Sequence, residues 1–268
     1  MTMLVALAAA AVGASWSQLG QTQSGVSGED LGNDISMSSD GTFLVAAGNV
    51  RQPRVYSLAN SSWSDDEYPY PTDPAAPIKE QSVAISDDGS IIVVIDPSDY
   101  FYDRVENNDN WDKTVSTATA GSSILPCNVD VNGDANVMIF GFCAKFGNDV
   151  ARVRRTGGSD YLDLATLSIS DASVTGPFTV AVSAGSTVND IYVAVGAPTA
   201  YGGQGAAFVY HANDGVSFVQ LGNEGTNTVM DIVAYHGLGA SDGFGTSVSL
   251  VGDANSMTLA VGSPGAED

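Results

Sequence analysis

Basic residues are scarce in this chain of 268 residues: nine Lys and Arg stand against 31 Asp and Glu, a net charge of −22. Such a balance repels phosphate backbones and anionic lipid surfaces, which excludes nucleic acid as a partner and gives a solvated, highly soluble surface. Histidine is limited to His211 and His236. A Ser or Cys nucleophile needs a base within hydrogen-bond reach, and neither histidine sits in a recognisable nucleophile context, so hydrolase chemistry has little to work with. The two cysteines, Cys127 and Cys143, form no Cys-x-x-Cys pair, which leaves zinc without its usual motif. No segment reaches the roughly 20 consecutive apolar residues of a membrane helix, so direct membrane insertion is not expected. No Gly-rich loop follows a strand and opens a helix, so nucleotide chemistry lacks its cradle. Helical periodicity is almost missing after residue 15.

What is present is repetition. Ile35-Ser36-Met37-Ser38-Ser39-Asp40-Gly41 is echoed 48 positions later by Val83-Ala84-Ile85-Ser86-Asp87-Asp88-Gly89. Trp16-Ser17-Gln18-Leu19-Gly20 returns as Phe218-Val219-Gln220-Leu221-Gly222, and Val193 to Pro198 returns as Leu259 to Pro264. Short alternating or apolar runs are separated by Gly, Asp, Asn and Ser, the pattern of strands and tight turns. Aromatics that open a fourth strand recur at Trp16, Trp63, Trp111, Tyr161 and Phe218, in steps of 47, 48, 50 and 57 residues. A four-stranded unit at this period predicts an all-β β-propeller with about five visible blades, at 33–69, 81–115, 127–165, 178–222 and from 244. Trp63 and Trp111 are expected on outer strands, where a ring covers the blade edge. Cys127 and Cys143 flank a predicted hairpin, Asn128–Val131 returning as Val137–Phe142, and are either a disulfide or two buried thiols.

The two ends carry expectations of their own. The apolar run Leu4–Val12, closed by Val12-Gly13-Ala14, reads as a signal peptide over residues 1–14, with the propeller occupying 15–268 and a secreted or cell-surface setting; a buried strand is the competing reading, since no Lys or Arg precedes the run. The last unit stops at Asp268 before its later strands, so either the Trp16 strand closes the ring onto an unfinished final blade or, the reading favoured here, the sequence is part of a longer ring with an unpaired strand edge near Val261, which promotes association.

Phe244-Gly245-Thr246-Ser247-Val248-Ser249-Leu250, followed by Leu259-Ala260-Val261-Gly262-Ser263-Pro264, resembles the FG-GAP repeat of integrin alpha-chain β-propellers. The fourth unit carries Gly196-Ala197-Pro198, whereas the first three have Gly48-Asn49-Val50, Asp96-Pro97 and Gly141-Phe142-Cys143 at that place. The resemblance implies a seven-bladed ring, an extracellular setting and a ligand-binding face built from loops. It also implies a calcium loop of the form Asp-x-Asn-x-Asp-Gly-x-x-Asp. Asp130-Val131-Asn132-Gly133-Asp134 matches its first half, with Ala135 and Met138 where the Gly and the last acid belong. The candidate metal ligands are therefore Asp130, Asn132 and Asp134, for a calcium ion bound weakly because one carboxylate is lost. An Asn-Gly hairpin turn is the competing reading of the same residues.

Enzyme alternatives find little support. Asp65-Asp66-Glu67 and the pair Asp99 and Asp103 could serve as glycosidase carboxylates, but adjacent acids on an exposed loop are ordinarily solvated. Ser38-Ser39-Asp40-Gly41-Thr42-Phe43 imitates a sialidase box with one residue missing, and Arg152, Arg154 and Arg155 sit in one strand instead of separate blades. The expected function is a non-catalytic extracellular binding or adhesion module that recognises a protein or glycan through inter-blade loops, Ser64–Pro77 and Asn227–Asp242 above all. The alternative is a propeller accessory to a hydrolase or other enzyme whose catalytic part lies outside this chain.

Overall fold

A computed structural model describes residues 2–3, 17–25, 27–48, 53–66, 82–95, 100–104, 111–114, 126–134, 136–156, 161–184, 189–221, 235–236, 239, 241–253 and 256–265. The chain divides into two compact units, Met1–Thr117 and Ala118–Asp268.

In the first unit, β1 (Thr2–Met3) pairs with β2 (Gln23–Ser24). Sheet one is an antiparallel meander of β3 (Asp34–Met37), β4 (Phe43–Ala47), β5 (Arg54–Ala59) and β6 (Ser62–Asp66). Sheet two repeats it with β7 (Ser82–Ile85), β8 (Ile91–Ile95), β9 (Tyr100–Arg104) and β10 (Trp111–Thr114). Trp63 and Trp111 therefore fall on fourth, outer strands, as expected.

In the second unit, sheet three is β11 (Pro126–Val131), β12 (Val137–Phe146), β13 (Asp149–Thr156) and β14 (Tyr161–Ser168). Sheet four is β15 (Thr179–Ala184), β16 (Ile191–Ala197), β17 (Ala206–Ala212) and a divided outer strand. β18 (Val219–Gln220) pairs with Tyr210 and His211, and β19 (Tyr235–His236) pairs with Ala206 and Ala207 along the same edge of β17. His211 and His236 thus belong to one sheet. A single turn, α1 (Ala200–Gly203), joins β16 to β17. Sheet five is the pair β20 (Ser247–Asp253) and β21 (Ser256–Gly262); among the described residues β21 has no other strand partner. The chain is all-β, built from the consecutive four-stranded antiparallel sheets that form propeller blades.

The repeated turn explains the first hairpin of sheets one and two. Ser38 Oγ donates to Asp40 Oδ1 at 2.8 Å and accepts from Phe43 N at 2.9 Å, while Thr42 N donates to Asp40 Oδ1 at 2.9 Å. Ser86, Asp88, Ser90 and Ile91 make the same set. Gly41 and Gly89 take φ of 71° and 70°, which a residue with a Cβ adopts at a cost.

Period-2 alternation buries both faces of the middle strands. On sheet one, Val45, Ala47 and Val55 pack with Val83, Ile85, Ile92 and Val94 of sheet two, while Leu44, Ala46, Tyr56, Leu31 and Trp63 form a separate cluster. In the second unit, Val137, Ile139 and Val153 of sheet three join Val180, Val193 and Val195 of sheet four, and Ala181, Tyr192 and Val209 pack on Leu250 of sheet five. Burial of this many branched side chains, at roughly 25 cal/mol per Å² of apolar surface, holds the sheets face to face.

The Gly-Ala-Pro and Phe-Gly phrases meet at one such junction. A Cβ on Gly196 would fall 3.0 Å from Val248 Cγ1 and against Gly245 O, and a Cβ on Gly245 would fall 2.9 Å from Ala197 N. Gly141 stands in the same relation to Phe178, whose N–H donates to Phe142 O at 2.9 Å. Cys127 and Cys143 are joined as a disulfide with Cα atoms 4.9 Å apart, at the register shift between Pro126 and Asn128 that takes Cys127 out of the ladder.

Trp16 lies outside the described residues. The residues after it run along the outer strand of sheet one: Trp63 Nε1 donates to Leu19 O at 3.1 Å, and Gln21 Oε1 accepts from Trp63 N at 3.0 Å.

Candidate functional site

The innermost strands carry polar side chains at alternate positions, and these close the exposed edge of the next sheet. Asp34 Oδ2 accepts from Ser82 Oγ at 2.6 Å and from Val83 N at 3.0 Å; Ser36 Oγ accepts from Ile85 N at 3.1 Å. In the second unit Asn128 Oδ1 accepts from Val180 N at 2.7 Å, and Asp130 Oδ2 accepts from Val182 N at 2.8 Å. An unpaired edge strand would leave buried N–H groups unsatisfied; these acceptors satisfy them where no strand partner exists. Burial pushes the Asp34 carboxyl above its ordinary range, against the lowering effect of its hydrogen bonds from Ser82, Val83 and Ile35.

This arrangement accounts for two of the three candidate calcium ligands. Asp130 caps sheet four. Asn132 closes the β11–β12 hairpin as Ser38 and Ser86 close theirs: its Oδ1 accepts from Val137 N at 2.8 Å and its Nδ2 donates to Asn136 Oδ1 at 2.9 Å. Asn132 is buried, while Asp134 is exposed in the turn. Among the described residues no group of three or more His, Cys, Asp or Glu is gathered to hold a metal ion. The hairpin reading of this segment therefore has the fuller set of protein contacts.

Among the described residues, Arg54, Arg152, Arg154 and His211 are paired internally. Arg54 Nη2 contacts both carboxylate oxygens of the buried Glu29 at 3.0 Å, and Arg154 Nε pairs with Asp163 Oδ1 at 2.6 Å while its guanidinium lies 5.5 Å from the Phe140 ring. Arg152 lies 3.9 Å from the same Asp163. His211 is fixed between Asp190 Oδ1, at 2.7 Å, and the Tyr192 ring, stacked at 4.3 Å.

A concave feature of the second unit is a cleft of about 730 Å³ between β14 and the outer part of sheet four. Its apolar walls are Tyr201, Phe208, Tyr210 and Phe218; its polar groups include Thr166, Ser168, Asp171 and Gln220. No Lys, Arg or His lines it. Its volume falls within the range of small-ligand sites, while its accessible lining is more polar than apolar. Two turns fix its rim. Asp171 Oδ1 accepts from Ser173 N at 2.9 Å and Ser173 Oγ at 2.7 Å, and Lys145 Nζ donates to Asp171 O at 2.7 Å. Asp214 Oδ1 accepts from Val216 N and Ser217 N at 2.9 and 2.7 Å, and hydrogen bonds from the Ser217 side chain and these two amides hold its carboxyl down at about 2.

Tyr201 stands at the rim with φ 53° and ψ 40°, a left-handed conformation that costs a non-glycine residue roughly 1–2 kcal/mol. The turn is held by Tyr201 N donating to Ser173 O at 3.2 Å and Gly205 N donating to Ala200 O at 3.0 Å. Partial burial and the neighbouring Asp171 carboxylate push the Tyr201 phenol up, so it stays a neutral hydrogen-bonding group. Burial does the same to Tyr210, whose hydroxyl lies 3.5 Å from Ser168 O. Of the cleft residues, Phe218 and Gln220 belong to the repeated phrase Phe218-Val219-Gln220-Leu221-Gly222, whereas Tyr201 carries no repeat or motif signal. The binding stretches expected from loop length are described only in part: residues 67–77, 227–234, 237–238 and 240 lie outside the described residues.

Fold and sheet order define a chain of β-propeller blades. No protein-family model and no curated protein matches it. Among solved structures it is similar to Kuenenia stuttgartiensis hydrazine synthase, at 13% identity and a TM-score of 0.39, over 75% of this chain and 69% of that one. It is also similar to TolB from Acinetobacter baumannii, at 12% identity and a TM-score of 0.44, over 77% of this chain and 45% of that one, so the match spans less than half of TolB.

Proposed function

We propose that the chain is a non-catalytic β-propeller binding module of the FG-GAP kind, secreted or displayed at a cell surface, that recognises a protein or glycan ligand between its blades. The observation that carries this reading is the cleft of the second unit, with Tyr201 held in a left-handed turn at its rim. Strained backbone persists where surrounding structure over-determines it, and such sites are disproportionately functional. Of the two ligand classes the lining favours a neutral glycan: the partly exposed Tyr201 and Phe218 for the sugar ring, hydroxyl, amide and carboxylate groups for its hydroxyls, and no cation among the lining residues themselves.

Calcium belongs to this proposal as a weak ligand of Asp130, Asn132 and Asp134. With Asp130 Oδ2 and both amide atoms of Asn132 engaged by the protein, water must supply most of the six to eight oxygens, which places the affinity on the order of 10⁻³ M.

A glycan array probed with the parent chain and with Tyr201→Ala tests the reading. Neutral glycans should bind the parent, and the variant should lose them while retaining the parent's circular dichroism. Equal binding by both, or binding confined to sialylated or sulfated glycans, contradicts it.

A further inference from the structure

Described residues on one face of sheet five and on one face of sheet one are exposed, and each set has the chemistry of one side of a junction seen elsewhere in the molecule. On sheet five, Val248, Leu250 and Leu259 turn toward sheet four. The register pairs Ser249 with Ala260 and Val251 with Thr258 on the opposite face, and all four residues are exposed, Val251 by 66%. These four side chains are small and uncharged. Ser247 and Ser249 occupy alternate positions of an innermost strand, as Asp34 and Ser36 do in β3 and Asn128 and Asp130 do in β11, where those side chains cap the next sheet.

On sheet one, Asp34 and Ser36 turn toward sheet two, so alternation sends Ile35 and Met37 to the other face. Ile35 is 49% exposed and Met37 37% exposed. Their counterparts in the capped strands are Val83 and Ile85 of β7 and Val180 and Val182 of β15, all buried against the preceding sheet. Ile35 N meanwhile donates to its neighbour's Asp34 Oδ1 at 2.9 Å.

We infer that these two faces are complementary halves of an interface between copies of this chain, with sheet five of one copy packing on sheet one of the next. Ser247 and Ser249 of one copy then take the capping role toward the β3 edge of the other, and Val251 and Ala260 cover Ile35 and Met37. The contact is heterologous, since each chain offers two different faces, so assembly continues beyond a dimer or closes into a ring. Net charge opposes it: two chains of −22 repel, and the uncharged faces must overcome that repulsion, so association strengthens as salt screens it.

Sedimentation velocity over a concentration series, at about 0.15 M and about 0.5 M NaCl, tests this. The parent chain should associate in a concentration-dependent way, more strongly at the higher salt. Val251→Asp and Ile35→Asp each place a carboxylate in the contact and should weaken association at least about tenfold. Both positions are exposed, and unchanged thermal melting monitored by circular dichroism confirms that folding is intact; Ala260→Asp is a further variant on the same face. An equimolar mixture of Val251→Asp and Ile35→Asp should restore a 1:1 dimer and nothing larger, because each variant retains one intact face. A parent chain that stays monomeric at both salt concentrations overturns the inference. So does association that survives both substitutions, or a mixture that fails to pair.

Discussion

Replacing Asp34 with Ala removes the acceptor of Ser82 Oγ, Val83 N and Ile35 N at the junction of sheets one and two. The Val83 amide is the main loss: Val83 is 3% exposed, and a buried donor left without a partner costs about 1–3 kcal/mol. The Ser82 hydroxyl can rotate and Ile35 is half exposed, so each adds less, and relief from burying a carboxylate offsets part of the total. The expected cost is about 2–3 kcal/mol. Asp34→Asn keeps one acceptor oxygen and should cost no more than about 1 kcal/mol, because Asn128 performs the same task for Val180 with 2.7 Å geometry. The two residues also differ with pH. Burial raises the folded carboxyl above its ordinary value of 3.8, so the stability Asp34 contributes is full below 3.8 and declines as pH rises through the folded value. The stability difference between Asp34→Asn and the parent should therefore move in favour of Asn across that interval. Urea unfolding followed by tryptophan fluorescence measures this cleanly, since Trp16, Trp63 and Trp111 all lie within the first unit. An Ala variant within about 0.5 kcal/mol of the parent, or an Asn variant as costly as Ala, would refute the capping role.

Other expectations follow from the same junctions and turns. Gly196→Ala should cost about 1–3 kcal/mol in chemical denaturation, since the new methyl meets Val248 and the Gly245 carbonyl; an unchanged midpoint would show that sheets four and five can part freely. The Asp214 carboxyl should titrate near 2 by carbon-13 NMR, so its contribution to folding is present above 3.8 and lost as pH falls through 2; Ser217→Ala should raise the midpoint, and a parent midpoint near 3.8 would contradict the turn geometry. In calorimetric titration with calcium, the parent should bind no more tightly than the order of 10⁻³ M, and Asp134→Ala should weaken it further; micromolar binding would mean that Asp130 and Asn132 leave their protein partners.

The blades were legible because their turns are written in local chemistry. Ser38-x-Asp40-Gly41 and Ser86-x-Asp88-Gly89 each need a hydroxyl, a carboxylate and a residue tolerant of positive φ at fixed spacing, and the apolar alternation between them follows from burial on both faces. Asp130 was harder. Asp-x-Asn-x-Asp is the start of a calcium loop and also an innermost-strand cap followed by a turn; the signal that separates them is Asn128, the polar residue two positions earlier on the same face, as Asp34 precedes Ser36. The disulfide stayed open because adjacent strands often hold cysteines poorly, and the register shift that admits it is not written in residue identity. Splitting of the outer strand into Val219–Gln220 and Tyr235–His236 joins residues with no repeat in common. Tyr201 could not be placed either, although Gly202, Gly203 and Gly205 around it mark a left-handed turn.

The most direct test of the binding function is a two-dimensional NMR titration of the isotopically labelled chain with a neutral oligosaccharide that scores on the array. Shifts centred on Thr166, Asp171, Tyr201, Phe218 and Gln220, and abolished by Phe218→Ala, are the expected result. Perturbations that spare these residues, or that persist undiminished in Phe218→Ala, would contradict the assignment of the cleft as the ligand site.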